Sequence, residues 1–329
     1  MMNKSNNLMF FTILIMSIMI SISSNSWFTM WMGMEINMMS FMPLIMNQKN
    51  ILSKESALTY FLIQTIASML MIMSIMMNEV NNNMMNELML LSSLMLKSGV
   101  SPFHFWLPKT MEGMNWNKCL ILMTMQKLIP MMLMSTIIKI NMITITIMML
   151  STMIGAIGGL NQTSLRKLMA YSSISNNGWM MLAMTISETL WMLYFMIYAL
   201  MTIVVTTTMN TYNIYHINQI MTINEMPYKK MMMMMNMISI SGLPPLLGFM
   251  PKWMVIQYSM SQNEILLTLT MMMMTLITVI YYLRIMYSSM MLTNMNYKWN
   301  QNKYMFNNLN MVMSMLSIIG LTSITMMSI

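Results

Sequence analysis

The stretches SGVSPFHFWLPK, residues 98–109, and SGLPPLLGFMPK, residues 241–252, nearly repeat each other inside otherwise apolar sequence. A serine, a glycine, two prolines and a closing lysine coincide, and most of the other paired positions are apolar. Proline removes a backbone hydrogen bond from a helix and clashes with the preceding turn, and glycine loosens the helix further. Lipid tolerates the freed backbone groups only where protein or a water-filled cavity surrounds them. Paired breaks in one apolar chain indicate a membrane protein with an ion or substrate path beside its broken helices.

The composition of the whole chain favours a membrane protein and excludes several other classes. Of 329 residues, 57% are hydrophobic and 7% are charged, with a mean hydropathy of +0.61. A soluble domain carries about 25% charged residues. The single cysteine, Cys119, and the two histidines cannot form a disulfide framework, a thiolate cluster or a multi-histidine metal site. Motifs typical of nucleotide or zinc binding do not occur, and the 65 methionines are interpreted as apolar filler.

The apolar segments predict an all-α, multi-pass membrane protein. Because a bilayer-spanning helix needs about 20 mostly apolar residues, the sequence predicts about eleven transmembrane helices. They lie near residues 8–24, 27–46, 56–77, 88–108, 118–138, 142–160, 169–186, 189–210, 231–260 (broken), 265–287 and 306–328. The two breaks then fall in spans that cross the membrane in opposite senses. This predicts a single antiporter-like domain, an inverted repeat of five-helix units at approximately 1–138 and 142–288 with an extra helix at 306–328.

Basic residues are distributed very unevenly between the two sets of predicted loops. The side that holds the N-terminus collects Lys4, Lys49, Lys54, Lys109, Lys118, Arg166, Lys167, Lys229, Lys230, Lys298 and Lys303. The opposite side receives Lys139 and several glutamates. The positive-inside rule therefore places the N-terminus in the cytoplasm or the mitochondrial matrix, with the C-terminus opposite. The net charge of +8 reports this topology and argues against nucleic-acid binding.

Four ionisable residues fall inside the predicted spans, namely Glu35, Lys97, Lys127 and Lys252. A charge at the bilayer centre costs about 2.5–3.5 kcal/mol on insertion scales, so such residues commonly mark ion pathways or proton relays. Burial disfavours the charged form of a lysine and a nearby carboxylate favours it, so a lysine between these influences can exchange protons near neutral pH. For the first three residues the sequence favours a proton path. The alternative is a structural buried ion pair, for example between Glu35 and Lys97.

Lys252 and His104 each allow two interpretations. Lys252 follows the second break, and its repeat partner Lys109 is expected to extend to the membrane surface, as long lysine side chains do. Spacing alone therefore leaves Lys252 open between a proton-path role and a similar surface position. His104 lies between two aromatic residues of the first break, where a relay group and a neutral, hydrogen-bonded imidazole fit equally well.

Four segments carry a resemblance to a known family: residues 31–43 (WMGMEINMMSFMP), 97–130 (KSGVSPFHFWLPKTMEGMNWNKCLILMTMQKLIP), 158–180 (GGLNQTSLRKLMAYSSISNNGWM) and 241–253 (SGLPPLLGFMPKW). In order and spacing they resemble the subunit 2 family of mitochondrial NADH:ubiquinone oxidoreductase, respiratory complex I. The resemblance covers almost the whole chain and is loosest past Met260. It implies an antiporter-like subunit of the membrane arm in the mitochondrial inner membrane, with the N-terminus in the matrix and the C-terminus in the intermembrane space.

The resemblance also implies roles for individual residues. The buried glutamate of the family falls on Glu35, and its lysines fall on Lys97, Lys127 and Lys252, which strengthens the assignment of Lys252. Protons would pass from Lys97, whose proton affinity Glu35 modulates, through Lys127 towards Lys252.

One segment departs from the family pattern. Where many relatives have a histidine, YSSISNNGW places Asn176 and Asn177. Asparagine can hydrogen-bond to a water chain but cannot carry a proton charge. The position therefore either orders water or passes its role to a neighbour, with His104 and Tyr171 as candidates.

The implied complex assigns the redox chemistry to other chains. No cofactor is expected in this chain, whereas NADH, FMN, iron–sulfur clusters and ubiquinone are expected in partner subunits. The expected partners are the other core and accessory subunits of the membrane arm and phospholipids, without nucleic acid. Two alternatives stay open, namely a subunit of an independent cation/proton antiporter and a purely structural element of the membrane arm.

Overall fold

The computed structural model of the chain describes residues 4–46, 50–80, 84–221, 227–244, 246–262, 264–291 and 315. Within these ranges the chain is almost entirely helical, and its β-structure is one isolated bridge between Ser164 and His216. The helices are α1 (Lys4–Ser23), α2 (Trp27–Ile45), α3 (Ile51–Val80), α4 (Met84–Ser98), α5 (Trp106–Gly113), α6 (Trp116–Met123), α7 (Met125–Ile137), α8 (Met142–Gly159), α9 (Leu165–Ile186), α10 (Glu188–Tyr212), α11 (Ile217–Met221), α12 (Pro227–Ser241), α13 (Phe249–Ser261) and α14 (Ile265–Met291).

The apolar composition produces the predicted membrane-type helices. Among the described residues, six segments are long and apolar enough to cross a bilayer, namely Ser5–Ser23, Ile51–Glu79, Trp116–Ile137, Met142–Gly159, Glu188–Tyr212 and Ile265–Met290. The other helices are shorter, more polar or more charged. The all-helical membrane class is thus confirmed, whereas the count of about eleven spans stays a prediction. The predicted span at 306–328 lies outside the described residues, except for Met315.

The chain divides into two compact units, Met1–Lys139 and Ile140–Ile329. In the first unit α1 packs on α2, α3 packs on α2, α4 and α5, and α4 packs on α7. In the second unit α8 packs on α9 and α14, while α10 and α14 both contact α12 and α13. The outward faces of these helices carry exposed Leu, Ile and Met side chains, for example Leu62 and Ile66 of α3. Such faces suit a lipid environment.

Both near-repeat stretches interrupt their helices as the sequence predicts. The first break separates α4 from α5 and begins at Gly99, with φ +72°, and the second separates α12 from α13 and begins at Gly242, with φ +82°. This left-handed backbone conformation is one that glycine adopts at no steric cost, and it commonly ends a helix.

A further interruption was not predicted. Thr124 divides the predicted fifth span into α6 and α7, and its hydroxyl donates to the carbonyl of Leu120 at 2.8 Å. The backbone of Thr124, at φ −111° and ψ −77°, departs from helical geometry at this point. This interruption lies one turn before Lys127.

Candidate functional site

Lys97 occupies the last turn of α4, directly before the first break, and is only 8% exposed. Its ammonium nitrogen Nζ lies 3.6 Å from the Sδ atom of Met34 on α2. Its backbone carbonyl accepts a hydrogen bond from Nε2 of Gln64 on α3 at 3.2 Å. The end of the broken helix is therefore held from two neighbouring helices, one touching the lysine side chain and one touching its backbone.

A small cavity lies against Lys97. Its volume is about 20 Å³, and it is lined by Met34, Asn37, Met38, Tyr60, Gln64, Lys97, Gln126 and Pro130. A cavity needs about 10–15 Å³ of such volume, together with polar partners, to hold one water molecule. The amides, the phenol and the ammonium supply those partners, so the site next to Lys97 has room for a single hydrogen-bonded water.

A side-chain hydrogen-bond chain crosses the wall of this cavity. The Tyr60 hydroxyl donates to Oε1 of Gln126 at 3.0 Å, and Nε2 of Gln126 donates to Oδ1 of Asn37 at 2.9 Å. The chain connects α3, α7 and α2 and orients the Gln126 amide. Uncharged polar residues inside apolar spans were the sequence signal for this group, and the search for charged residues missed it.

Glu35 lies beside this group on α2 but does not form an ion pair with Lys97. Ion pairs within 4.0 Å in the described part of the chain include Lys109–Glu55 and Lys139–Glu87, and none joins Glu35 to Lys97. One carboxylate oxygen of Glu35, Oε1, is enclosed and has no hydrogen-bond partner. Glu35 directly follows Met34, the residue whose sulfur lies next to the Lys97 ammonium. A direct Glu35–Lys97 ion pair is therefore not formed, whereas a purely structural role of the buried charges stays an alternative.

Lys127 is one of the most deeply buried charged residues of the described chain, at 2% exposure. It follows Gln126 in α7, in the turn between the interruption at Thr124 and the proline Pro130. The first unit thus carries Glu35, Lys97 and Lys127 on α2, α4 and α7, and Lys127 directly follows Gln126 of the hydrogen-bonded polar group.

Lys252, which follows the second break, lies in a different environment from its repeat partner Lys109. Lys252, in the first turn of α13, is 4% exposed, and its Nζ donates to the carbonyl oxygen of Ser241 at 2.6 Å. Ser241 is the last residue of α12, so the ammonium of one half-helix satisfies a freed carbonyl of the other. The repeat partner Lys109 has a side chain 59% exposed and pairs with Glu55 at 3.0 Å. Lys252 therefore does not share the surface position of Lys109.

Asn176, in the segment where the resemblance implies a histidine in many relatives, also lies at a cavity. Its Oδ1 accepts a hydrogen bond from the Tyr194 hydroxyl at 3.0 Å. A cavity of about 20 Å³ is lined by Asn176, Tyr194, Ile197, Tyr198, Met201, Ile240, Gly248 and Pro251. Since Ile240, Gly248 and Pro251 flank the second break, this cavity also has room for one water next to a broken helix.

His104 and Tyr171 lie away from these two cavity linings. His104 is buried in the first break, with Nδ1 3.1 Å from the carbonyl oxygen of Pro102 and its ring 4.2 Å from that of Phe105. Tyr171 packs its ring on Gly158 of α8. In the described part of the chain, no group of three or more His, Cys, Asp or Glu side chains could hold a metal ion.

Half-helices joined by glycine breaks, with lysines buried at those breaks, define the class of antiporter-like membrane proteins. Comparison with known proteins agrees. The family model described as NADH:quinone oxidoreductase/Mrp antiporter, TM, matches residues 24–278, so the chain belongs to this family.

Within this family, the chain is similar to curated proteins of one particular name, which confirms the resemblance seen in the sequence motifs. The chain is 45% identical to NADH-ubiquinone oxidoreductase chain 2 of Anopheles gambiae, covering 100% of this chain and 99% of the mosquito protein. It is 47% identical to the protein of the same name from Aedes aegypti, over 99% and 98% of the two chains.

Solved structures share the fold at low sequence identity. A chain of respiratory complex I from Thermus thermophilus matches with a TM-score of 0.81 at 18% identity, over 96% of this chain and 78% of that chain. A chain of the Mrp complex from Dietzia sp. matches with a TM-score of 0.70 at 14% identity, over 83% and 58%.

Proposed function

We propose that this chain is a core membrane-arm subunit of the proton-pumping NADH:ubiquinone oxidoreductase of the mitochondrial inner membrane. Identity of 45% over the full length to a protein named as a chain of that enzyme supports this assignment. NADH oxidation and quinone reduction belong to partner subunits, which hold NADH, FMN, iron–sulfur clusters and ubiquinone. This chain contributes a proton path, and its partners are the other membrane-arm subunits and phospholipids.

Buried lysines carry the proposed path. Lys97 contacts a neutral sulfur beside a cavity with room for one water, and Glu35 on α2 modulates its proton affinity. A buried ammonium without a carboxylate in contact is not held permanently in its charged form, so it can accept and release a proton. Protons pass from Lys97 through Lys127 towards Lys252, while His104 and Tyr171 are secondary relay candidates.

The proposed topology follows from the lengths of the apolar segments and from the charges of the loops. About eleven helices cross the membrane as an inverted repeat, approximately 1–138 and 142–288, with an extra helix at 306–328. The N-terminus lies in the matrix and the C-terminus in the intermembrane space, because the basic loops then face the matrix. The similar left-handed glycines at the two breaks support the repeat.

The decisive experiment replaces Lys97 by methionine and measures NADH:quinone turnover and proton pumping in membranes that contain the assembled complex. Lys97→Met keeps the length and apolar stem of the side chain and removes the ammonium. We expect at least a tenfold loss of pumping-coupled turnover in a complex of normal size. Lys109→Met is the matched control, because that lysine is exposed at the end of the same break.

Unchanged pumping in Lys97→Met would contradict the path and support the structural alternative. Loss of assembly would not by itself distinguish a scaffold, so Lys97→Arg, which keeps the charge, is measured beside it. A pump residue gives an assembled but impaired Lys97→Arg complex, since arginine does not release its proton. A purely structural charge gives an assembled and active one.

One observation favours a second candidate function, a subunit of an independent cation/proton antiporter. The fold is also similar to a chain of the Mrp complex. Purification under mild detergent separates the two candidates. A complex I subunit co-purifies with flavin and iron–sulfur absorbance, whereas an independent antiporter purifies without either.

A further inference from the structure

We propose that Met34 is a positioning residue for Lys97, with its thioether sulfur accepting the hydrogen bond that holds the lysine ammonium at the cavity. The inference rests on the proposed proton-path function of Lys97 and adds to it a residue that carries no charge. It assigns a specific role to one of the 65 methionines, which composition alone treats as interchangeable filler.

The geometry singles out this sulfur. Sδ of Met34 lies 3.6 Å from Nζ of Lys97, within hydrogen-bond reach for sulfur. Among the described residues it is the hydrogen-bond acceptor of that ammonium. Both side chains are buried, at 4% and 8% exposure, and both line the cavity of about 20 Å³. Solvent therefore does not compete for the contact, apart from the single water that the cavity has room for.

The chemistry of sulfur explains why this contact suits a proton carrier. A thioether is a weak and neutral acceptor, so it orients an ammonium without the strong stabilisation that a carboxylate would supply. Met34 and Glu35 are neighbours in α2, and consecutive helical residues point about 100° apart. The helix thus turns its sulfur to the lysine and keeps its carboxylate beyond 4.0 Å, which holds Lys97 in place while leaving its proton exchangeable.

Other charged and titratable groups surround Lys97 and stay constant in the test. Glu35 follows Met34 on α2, Tyr60 on α3 lines the same cavity, and α7, which packs on α4, carries Lys127. None of these groups changes when Met34 is replaced by leucine. A change in pH dependence can therefore be attributed to the lost sulfur.

The test compares Met34→Leu with Met38→Leu in the assembled complex. Leucine and methionine exchange with little loss of packing. Met38 is an exact control in burial, at the same 4% exposure, and it lines the same cavity. We expect Met34→Leu to lose roughly two- to tenfold in turnover on the alkaline side of the pH profile, since losing one hydrogen bond weakens the hold on the proton by about that factor. Turnover of Met34→Leu at the acidic end stays within twofold, and Met38→Leu shows no loss confined to the alkaline side, because the sulfur contact of Lys97 is with Met34.

A rescue variant sharpens the result. Met34→Gln restores an acceptor at similar length, so its alkaline turnover should exceed that of Met34→Leu. Profiles of Met34→Leu and Met38→Leu that coincide would overturn the role of Met34. The Lys97→Met variant distinguishes this result from a failure of the proposed proton path. If the path is wrong, Lys97→Met pumps normally; if only the role of Met34 is wrong, Lys97→Met is inactive.

Discussion

The break after α4 and the break after α12 begin in the same way and are completed in different ways. Each half-helix ends at a serine, Ser98 or Ser241, and the following glycine takes a left-handed conformation, with φ +72° at Gly99 and +82° at Gly242. Beyond that point the two breaks satisfy their freed carbonyl groups with different chemistry.

Neutral donors complete the first break and a charged donor completes the second. The carbonyls of Leu96 and Lys97 accept from Nε1 of Trp106 at 3.1 Å and from Nε2 of Gln64 at 3.2 Å. The carbonyl of Ser241 instead accepts from the ammonium of Lys252 at 2.6 Å. The hydrogen bonds that complete the first break therefore do not depend on whether Lys97 is protonated. At the second break the corresponding hydrogen bond is donated by the side chain of Lys252.

The largest expected difference between the breaks lies at the lysines that end the two near-repeat stretches, Lys109 and Lys252. Lys252→Met removes the donor to a buried carbonyl, and an unsatisfied buried group costs about 1–3 kcal/mol. We expect at least a tenfold loss of NADH:quinone turnover with proton pumping in the assembled complex. Lys109→Met should stay within twofold, since exposed ion pairs contribute only about 0.2–1 kcal/mol. Equal losses of turnover in the two variants would contradict the distinction between a buried Lys252 and an exposed Lys109.

The break glycines should show an intermediate effect on stability. An L-residue in the left-handed conformation costs roughly 1–2 kcal/mol, so Gly99→Ala and Gly242→Ala should both lower the thermal midpoint of the complex. Gly99→Ala should lower it more, because the added Cβ would lie 2.7 Å from Cδ1 of Leu107. At Gly242 the nearest atoms, Cδ of Lys252 at 3.0 Å and the carbonyl oxygen of Gly248 at 3.1 Å, are farther away. A larger drop for Gly242→Ala would contradict this ranking.

The tyrosines at the two cavities should give the smallest effects. Tyr60→Phe and Tyr194→Phe each remove one hydrogen bond of 3.0 Å, which stabilises the protein by about 1 kcal/mol. Tyr60→Phe should also reduce turnover two- to fivefold, because Tyr60 orients the Gln126 amide beside Lys97. Tyr194→Phe should change turnover less than twofold, since its partner Asn176 carries no proton charge. The ratio of turnover to assembled complex measures both effects, and a reversed order would place the more important cavity at the second break.

Much of the fold could be predicted because it depends on local properties. Apolar composition predicts membrane-type helices, and glycine next to proline predicts both breaks, because each effect acts within a few residues of the chain. The interruption at Thr124 escaped prediction because threonine is common inside helices, and Thr206 makes the same kind of hydroxyl bond to the preceding turn inside the continuous helix α10.

The candidate site was predicted in its charged members and missed in its neutral ones. Buried charges are costly, so Glu35, Lys97 and Lys127 stand out in an apolar sequence. Gln64 and Met34 do not stand out, since glutamine is uncharged and methionine is everywhere. Their contacts with Lys97 join positions 33 and 63 residues apart, and no local pattern encodes such a distance.

The sequence by itself determined the membrane class, the two breaks and the ionisable residues that the spans must accommodate, because hydrophobicity and backbone stereochemistry are properties of short segments. Only the tertiary structure decided that Lys252 is buried against Ser241 while Lys109 is exposed beside Glu55. It also decided that Lys97 contacts a sulfur and not the carboxylate of Glu35. The physical reason is that the environment of a long, flexible lysine side chain is set by whichever helices pack around it, and helix packing brings together residues that are distant in the chain.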